Sequence, residues 1–342
     1  MRNDANRDVL KVWLYAATSV FAGAIATPWI YSGCMALAEV TANRQTIGAM
    51  ERLGAVFASW GYPSFFSLSL IILAVVLFIP FAAVLRLGNR PRPFQNIPWK
   101  LRLPEMTIIS GFGQPLRKKP MGPFHWITGV ILMAGVLLLI GYALSKTGSF
   151  VWIENPPEVR KTLWRLLFYA VTVPLLLEIL FRGISMGIFL RAMSPKHAII
   201  VTAIFSALLH FYFRPTGNLT VPDPEALSAG MTFLGRQTAL LVNPFVLITE
   251  FLPILAAGFL FSYARWRTSA LWLPAGLHTG WSLANGLFLH FALPVPQKDI
   301  IARLLAGDML QHGILSLIGV VTTITLLHFL TLTHAKAADP TA

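Results

Sequence analysis

About eight times along this chain a run of roughly 20 apolar residues recurs, each long enough to cross the hydrocarbon of a bilayer as a helix. No other feature narrows the fold as far. In lipid, backbone N–H and C=O groups must be satisfied within the protein, and a helix does this inside each segment. The runs lie at about 13–33, 64–86, 123–144, 161–190, 197–214, 240–264, 269–291 and 312–333. With 56% apolar and only 12% charged residues, the chain reads as an all-α polytopic membrane protein and not as a soluble enzyme.

A formal net charge of +13 would direct a soluble chain to nucleic acid. In a membrane protein, Lys and Arg gather in cytoplasmic loops and set orientation, so no nucleic-acid partner is expected. With the N-terminus cytoplasmic, 16 basic residues fall on cytoplasmic segments and nine on outer ones. That bias favours eight spans with both termini cytoplasmic. The largest group sits in a Pro-rich loop, 87–121, which has Glu105 as its only acid. This loop is expected to orient the protein and to touch anionic headgroups of the bilayer. Residues 215–239 read as a second long loop. Arg2, Arg7 and Lys11 precede the first span much as in a signal peptide, but Asp4 and Asp8 stand among them and the apolar run continues through Trp29 and Tyr31. An uncleaved anchor is expected. Cys34 is the single cysteine, which leaves neither an internal disulfide nor a thiolate zinc site.

These features divide the chain into a two-span region with its basic loop (1–122), a third span and outer loop (123–160), a core (161–291), and a last span with a cytoplasmic tail (292–342). The core is singled out by its polar residues. Glu178 and Arg182 stand within the fourth run, where a charge costs about 3 kcal/mol even on permissive insertion scales. Four apart, acid first, they share a helix face in the favourable order for an ion pair. His210 follows in the fifth run, with Ser206 one turn before it, and His278 in the seventh, with Ser282 one turn after it. Glu178 and His210 are each 16 residues from the turn at Ser194, so antiparallel helices would carry them at nearly equal depth.

Each of these residues also has a plainer reading. The ion pair could be structural, either histidine a packing residue, and either serine bonded to a helix carbonyl. Glu250, mid-span in the sixth run, reads as an acid in a lumen-facing or interhelical hydrogen bond. Taken together, the groups permit hydrolysis, with a carboxylate as general base and a histidine sharing proton transfer or stabilising an oxyanion. A zinc ion held by His210, His278 and Glu178 is open on residue types, although their spacing gives it no support. No cofactor is expected.

The motifs resemble the CPBP family of type II CAAX prenyl proteases and bacteriocin-processing or immunity (Abi) proteins. That family has an EExxxR motif, an FxxxH motif and an HxxxN or HxxxD motif on successive membrane helices. Pro174, Glu178, Phe181, Arg182 and Gly183 match the first context, and His210 and His278 match the two histidines. The resemblance covers about 160–291. Leu177 stands where the family has its first glutamate, Ser206 where it has phenylalanine, and Ser282 where it has asparagine. On an α-helix Glu178 points about 100° away from position 177, so it inherits that place only through a local distortion. The resemblance implies an intramembrane endopeptidase of the bacterial cytoplasmic membrane, acting on a membrane peptide or protein, with lipidated chains among the candidates. The catalytic residues it implies are Glu178 to activate water, Arg182 to orient it, His210 to assist, and His278 with Ser282 to hold the oxyanion. The alternatives are a catalytically silent relative that binds peptide or confers immunity, and a proton-coupled transporter using Glu178 and Glu250.

Overall fold

The computed structural model describes residues 2–43, 48–84, 105–109, 115–120, 122–154, 156, 158–215, 219–297, 299–307 and 309–336. The basic loop 87–121 lies outside these apart from two short paired strands, β1 (Glu105–Ile109) and β2 (Pro115–Pro120). The helices are α1 (Arg2–Asn43), α2 (Ala49–Ala58), α3 (Tyr62–Val84), α4 (Gly122–Lys146), α5 (Val159–Glu178), α6 (Met186–Ala192), α7 (Pro195–Phe213), α8 (Ala229–Leu240) and α9 (Pro244–Val246), followed by α10 (Leu252–Thr268), α11 (Trp272–Phe291), α12 (Ile300–Ala306) and α13 (Gly313–Lys336). Two wide π-turns interrupt this series, Ile179–Ser185 between α5 and α6 and Leu247–Phe251 between α9 and α10. Strands β3 (Phe150–Trp152) and β4 (Ala292–Pro294) pair antiparallel.

The fold is all-α, and seven of the described helical segments are long and apolar enough to cross a membrane. The expected span 269–291 forms α11 but is not among the seven, because His278, Ser282, Asn285 and His290 dilute its apolar content. It is buried by its neighbours instead, through Leu273, Leu277, Trp281 and Phe288. Residues 215–239, expected as a loop, contain most of α8. Its buried residues Gly230, Phe233, Leu234 and Gln237 recur at helical spacing, a signal too short to stand out beside full spans.

Contacts group the chain into two units, residues 1–92 with 208–244 and residues 93–207 with 245–342. The first has a core of Val20 and Ala24 from α1, Tyr62, Phe66 and Leu70 from α3, and Phe233 and Leu234 from α8. The second packs Met133 and Leu137 of α4 against Leu260 and Phe261 of α10, Leu277, Trp281 and Phe288 of α11, and Val320 and Leu327 of α13. Here α11 lies directly on α4. A Cβ at Gly280 would come within 2.5 Å of the Val130 carbonyl, and one at Gly276 would collide with that of Trp126. Small residues four apart let the two backbones meet, which fixes the rotation of α11 and so the direction of His278 between them.

Candidate active site

In the second unit three titratable side chains come together from different elements. Glu178 closes α5 and is fully buried, while Arg182, in the following π-turn, is 2% exposed. The Glu178 Oε1 accepts from Arg182 Nη1 at 3.1 Å and lies 2.8 Å from Nδ1 of His278 on α11. An ionised carboxylate only accepts, so Nδ1 carries the hydrogen in this contact, and in the neutral imidazole the lone pair is then on Nε2. The second oxygen of Glu178, Oε2, is buried and has no hydrogen-bond partner among the described residues.

Arg182 is held on its other side by neutral oxygens. Its Nη2 donates to the Gly258 carbonyl of α10 at 3.0 Å and to the Ser206 hydroxyl of α7 at 3.3 Å. The guanidinium lies 5.3 Å from the ring centre of Phe261, and the His278 imidazole stacks on that same ring at 4.9 Å. One phenylalanine therefore borders both the cation and the imidazole. Removing two charges from water costs several kcal/mol each, and only good geometry with further hydrogen bonds compensates. Ser206 and Gly258 supply those bonds.

The backbone is unusual at this point. Pro174 lies inside α5 and lacks the N–H that would bond the preceding turn, and the π-turn begins at the residue after Glu178. The i→i+5 pattern takes in one extra residue, so the faces of α5 and α6 are offset by about 100° relative to a continuous α-helix. Ser185 Oγ donates to the Leu180 carbonyl five residues back. The distortion that sequence reasoning requires near position 177 is thus present one step beyond Glu178. Leu177 itself is half-buried.

Of the residues expected from sequence, the structure brings Glu178, Arg182 and His278 into one hydrogen-bonded group. Ser282 is partly buried one turn beyond His278 on α11, with no hydrogen bond to that group. His210, on α7, belongs to the first unit. Glu250 lies in the second π-turn and is half-buried. Among the described residues, no three His, Cys, Asp or Glu side chains gather in a way that could hold a metal ion. Sequence reasoning assigned Ser206 only a possible bond to a helix carbonyl. It makes that bond, donating to the Ala203 carbonyl at 3.1 Å, and accepts from Arg182 as well. The Gly258 carbonyl carried no sequence signal, because any residue supplies one.

Residues 159–284 match a family model described as Type II CAAX prenyl endopeptidase Rce1-like. That segment is an Rce1-like domain. The match runs from the start of α5 into α11 and contains every residue of the hydrogen-bonded group, in agreement with the CPBP resemblance. Together with the seven apolar helical segments, it makes the chain an integral membrane protein that carries a domain of a protease family. No curated protein and no solved structure matches the chain.

Proposed function

We propose that the Rce1-like domain hydrolyses a peptide bond of a membrane-associated substrate, with His278 as general base. The observation that carries this reading is the 2.8 Å contact between His278 Nδ1 and the buried Glu178 carboxylate. It exchanges two of the roles suggested by sequence. Glu178 is fully buried, whereas His278 is 12% exposed, so the imidazole is the better placed of the two to meet water. Glu178 orients the ring and stabilises the imidazolium that forms, the part a carboxylate plays behind a catalytic histidine. Arg182 fixes the carboxylate in turn.

In this reaction Nε2 takes a proton from water as the oxygen attacks the scissile carbonyl carbon. The tetrahedral intermediate collapses, the C–N bond breaks, and the same proton passes to the departing nitrogen. Ser282, one turn beyond His278 on α11, is the hydroxyl assigned to the oxyanion. His210 enters from its sequence match, and its contribution is read from mutation.

The test is cleavage of a library of membrane peptides, lipidated members included, by purified protein with and without a chelator. His278→Ala and Glu178→Gln should each lower the rate by about 10²–10⁴-fold, and the double variant should lose little more than either single change. Additive losses would show that the two do not act as a unit. Leu177, where the family has glutamate, favours the silent relative as the second reading. An inert, folded wild type that gains cleavage on Leu177→Glu would establish it.

A further inference from the structure

A groove of about 490 Å³ lies in the second unit, lined by Tyr263, Trp266 and Arg267 of α10 and by Ile324, His328 and Phe329 of α13 among others. It is distinct from the Glu178 group. At 100° per residue, Tyr263, Trp266 and Arg267 occupy a face of α10 turned away from that of Gly258, Phe261 and Ser262.

Its position and chemistry are specific. The lining residues of α10 belong to the last turns of the span Pro244–Thr268, and those of α13 lie in the second half of that helix, Gly313–Lys336. The groove is therefore at a level where side chains pass from hydrocarbon to headgroups. Tyr and Trp concentrate at that depth, with apolar ring faces and a polar edge. The Arg267 guanidinium lies 6.0 Å from the Tyr263 ring centre and 5.9 Å from that of Trp266, so two rings border the charge. The Tyr263 hydroxyl is hydrogen-bonded to His328 Nδ1 at 2.6 Å. Among the described residues that line the groove none is acidic. Phe329, 62% exposed, and Trp266, 42% exposed, extend an apolar border outward.

We propose that this groove binds the headgroup of an anionic phospholipid. The phosphodiester meets Arg267 and the Tyr263–His328 pair, and an acyl chain lies along Ile324 and Phe329. Basic pockets between membrane helices take anionic headgroups in this way. The apolar border selects a lipid over free phosphate, which has nothing to place there. The site is independent of the hydrolytic reading and holds whether or not the protein cleaves peptides.

The experiment uses the purified protein in a neutral detergent. It reads the melting temperature against added phosphatidylglycerol, phosphatidylcholine with the same acyl chains, or inorganic phosphate, and native mass spectrometry counts the lipid retained. Phosphatidylglycerol should raise the melting temperature saturably, with one molecule retained, while the other two leave it nearly unchanged. Arg267→Gln should weaken phosphatidylglycerol binding about fivefold, and Lys146→Gln, which changes a basic residue over a tyrosine ring at the end of α4, should not. An equal response to phosphatidylcholine, or to both variants, would reduce the effect to a general lipid shell and overturn the site. A full response to inorganic phosphate would overturn the lipid assignment. If Arg267→Gln does not fold, competition between the two lipids on the wild type gives the same decision.

Discussion

Ser69 and Ser206 are both buried hydroxyls on apolar helices, one in each unit, and they illustrate two ways of burying polarity. Ser69 of α3 donates to the Gly23 carbonyl of α1 at 2.6 Å. Thr27 bonds that same carbonyl from one turn away, and Gln237 donates to the Phe211 carbonyl. Each of these first-unit bonds joins neutral groups. Ser206 also donates to a carbonyl, but its oxygen then accepts from a guanidinium that is tied to a carboxylate that is tied to an imidazole. A neutral pair can be broken at small expense. A buried ion pair cannot, because removing Glu178 or Arg182 leaves the other charge unpaired in a buried place.

The largest effect that tests this difference is expected at Arg182. Arg182→Leu should destabilise the protein by about 3–5 kcal/mol, since Glu178 would be left as an uncompensated buried charge. Adding Glu178→Gln removes that charge, so the double variant should be more stable than Arg182→Leu alone. Equilibrium unfolding in mixed micelles measures both. If the second substitution deepens the loss, the arginine acts through packing against Phe181 and Phe261 and not through charge.

The sequence already showed Glu178 and Arg182 as a pair, because a spacing of four on an apolar helix has one reading and charges there are costly. It showed the span-length helices for the same reason, within a few residues at their ends except for α1, which runs Arg2–Asn43 where 13–33 was expected. It could not show which of the separate polar residues meet. His278 reaches Glu178 because Gly276 and Gly280 lock α11 onto α4, a contact that depends on the partner helix and leaves no trace beyond two glycines. The π-turn was equally hidden. Its residues, Ile179 to Ser185, have the same apolar character as an α-helical run, and only Pro174 hinted at a weakened ladder. Motif matching treated Ser206 as a departure. In the structure that serine is an acceptor for the guanidinium, a role phenylalanine could not fill.

Smaller effects should separate the two units. Ser206→Ala deletes an acceptor for a charged donor, a bond of the class that contributes about 1.5–3 kcal/mol. If the hydrolytic reading holds, it should also lower the cleavage rate by loosening Arg182. Gln237→Leu in α8 removes a buried amide that makes one neutral bond and leaves its Oε1 without a hydrogen-bond partner among the described residues. The substitution takes one neutral donor from the Phe211 carbonyl, a class of bond that contributes a net of about 0.5–1.5 kcal/mol, so a loss of that size is expected from the same unfolding measurement. A loss as large as that of Arg182→Leu would erase the distinction between the units.

The smallest effect is expected for Ser69→Ala, and it is the sharpest comparison because it repeats the Ser206 substitution in a neutral setting. Ser69 is fully buried and its bond is short, which by geometry alone would rank it above the 3.3 Å contact of Ser206. Charge argues the other way. The Gly23 carbonyl also accepts from Thr27, so losing Ser69 does not leave that oxygen bare, and neutral hydrogen bonds between membrane helices average about 0.6 kcal/mol. At Ser206 the partner that loses an acceptor is a guanidinium, which keeps the Gly258 carbonyl on the same nitrogen but has its Nε already unpaired among the described residues. Ser69→Ala should therefore cost about 0.6 kcal/mol, less than half of what Ser206→Ala costs in parallel unfolding measurements. If the order is reversed, bond length and not the charge of the partner ranks the buried hydroxyls of this protein, and the contrast between its two units fails.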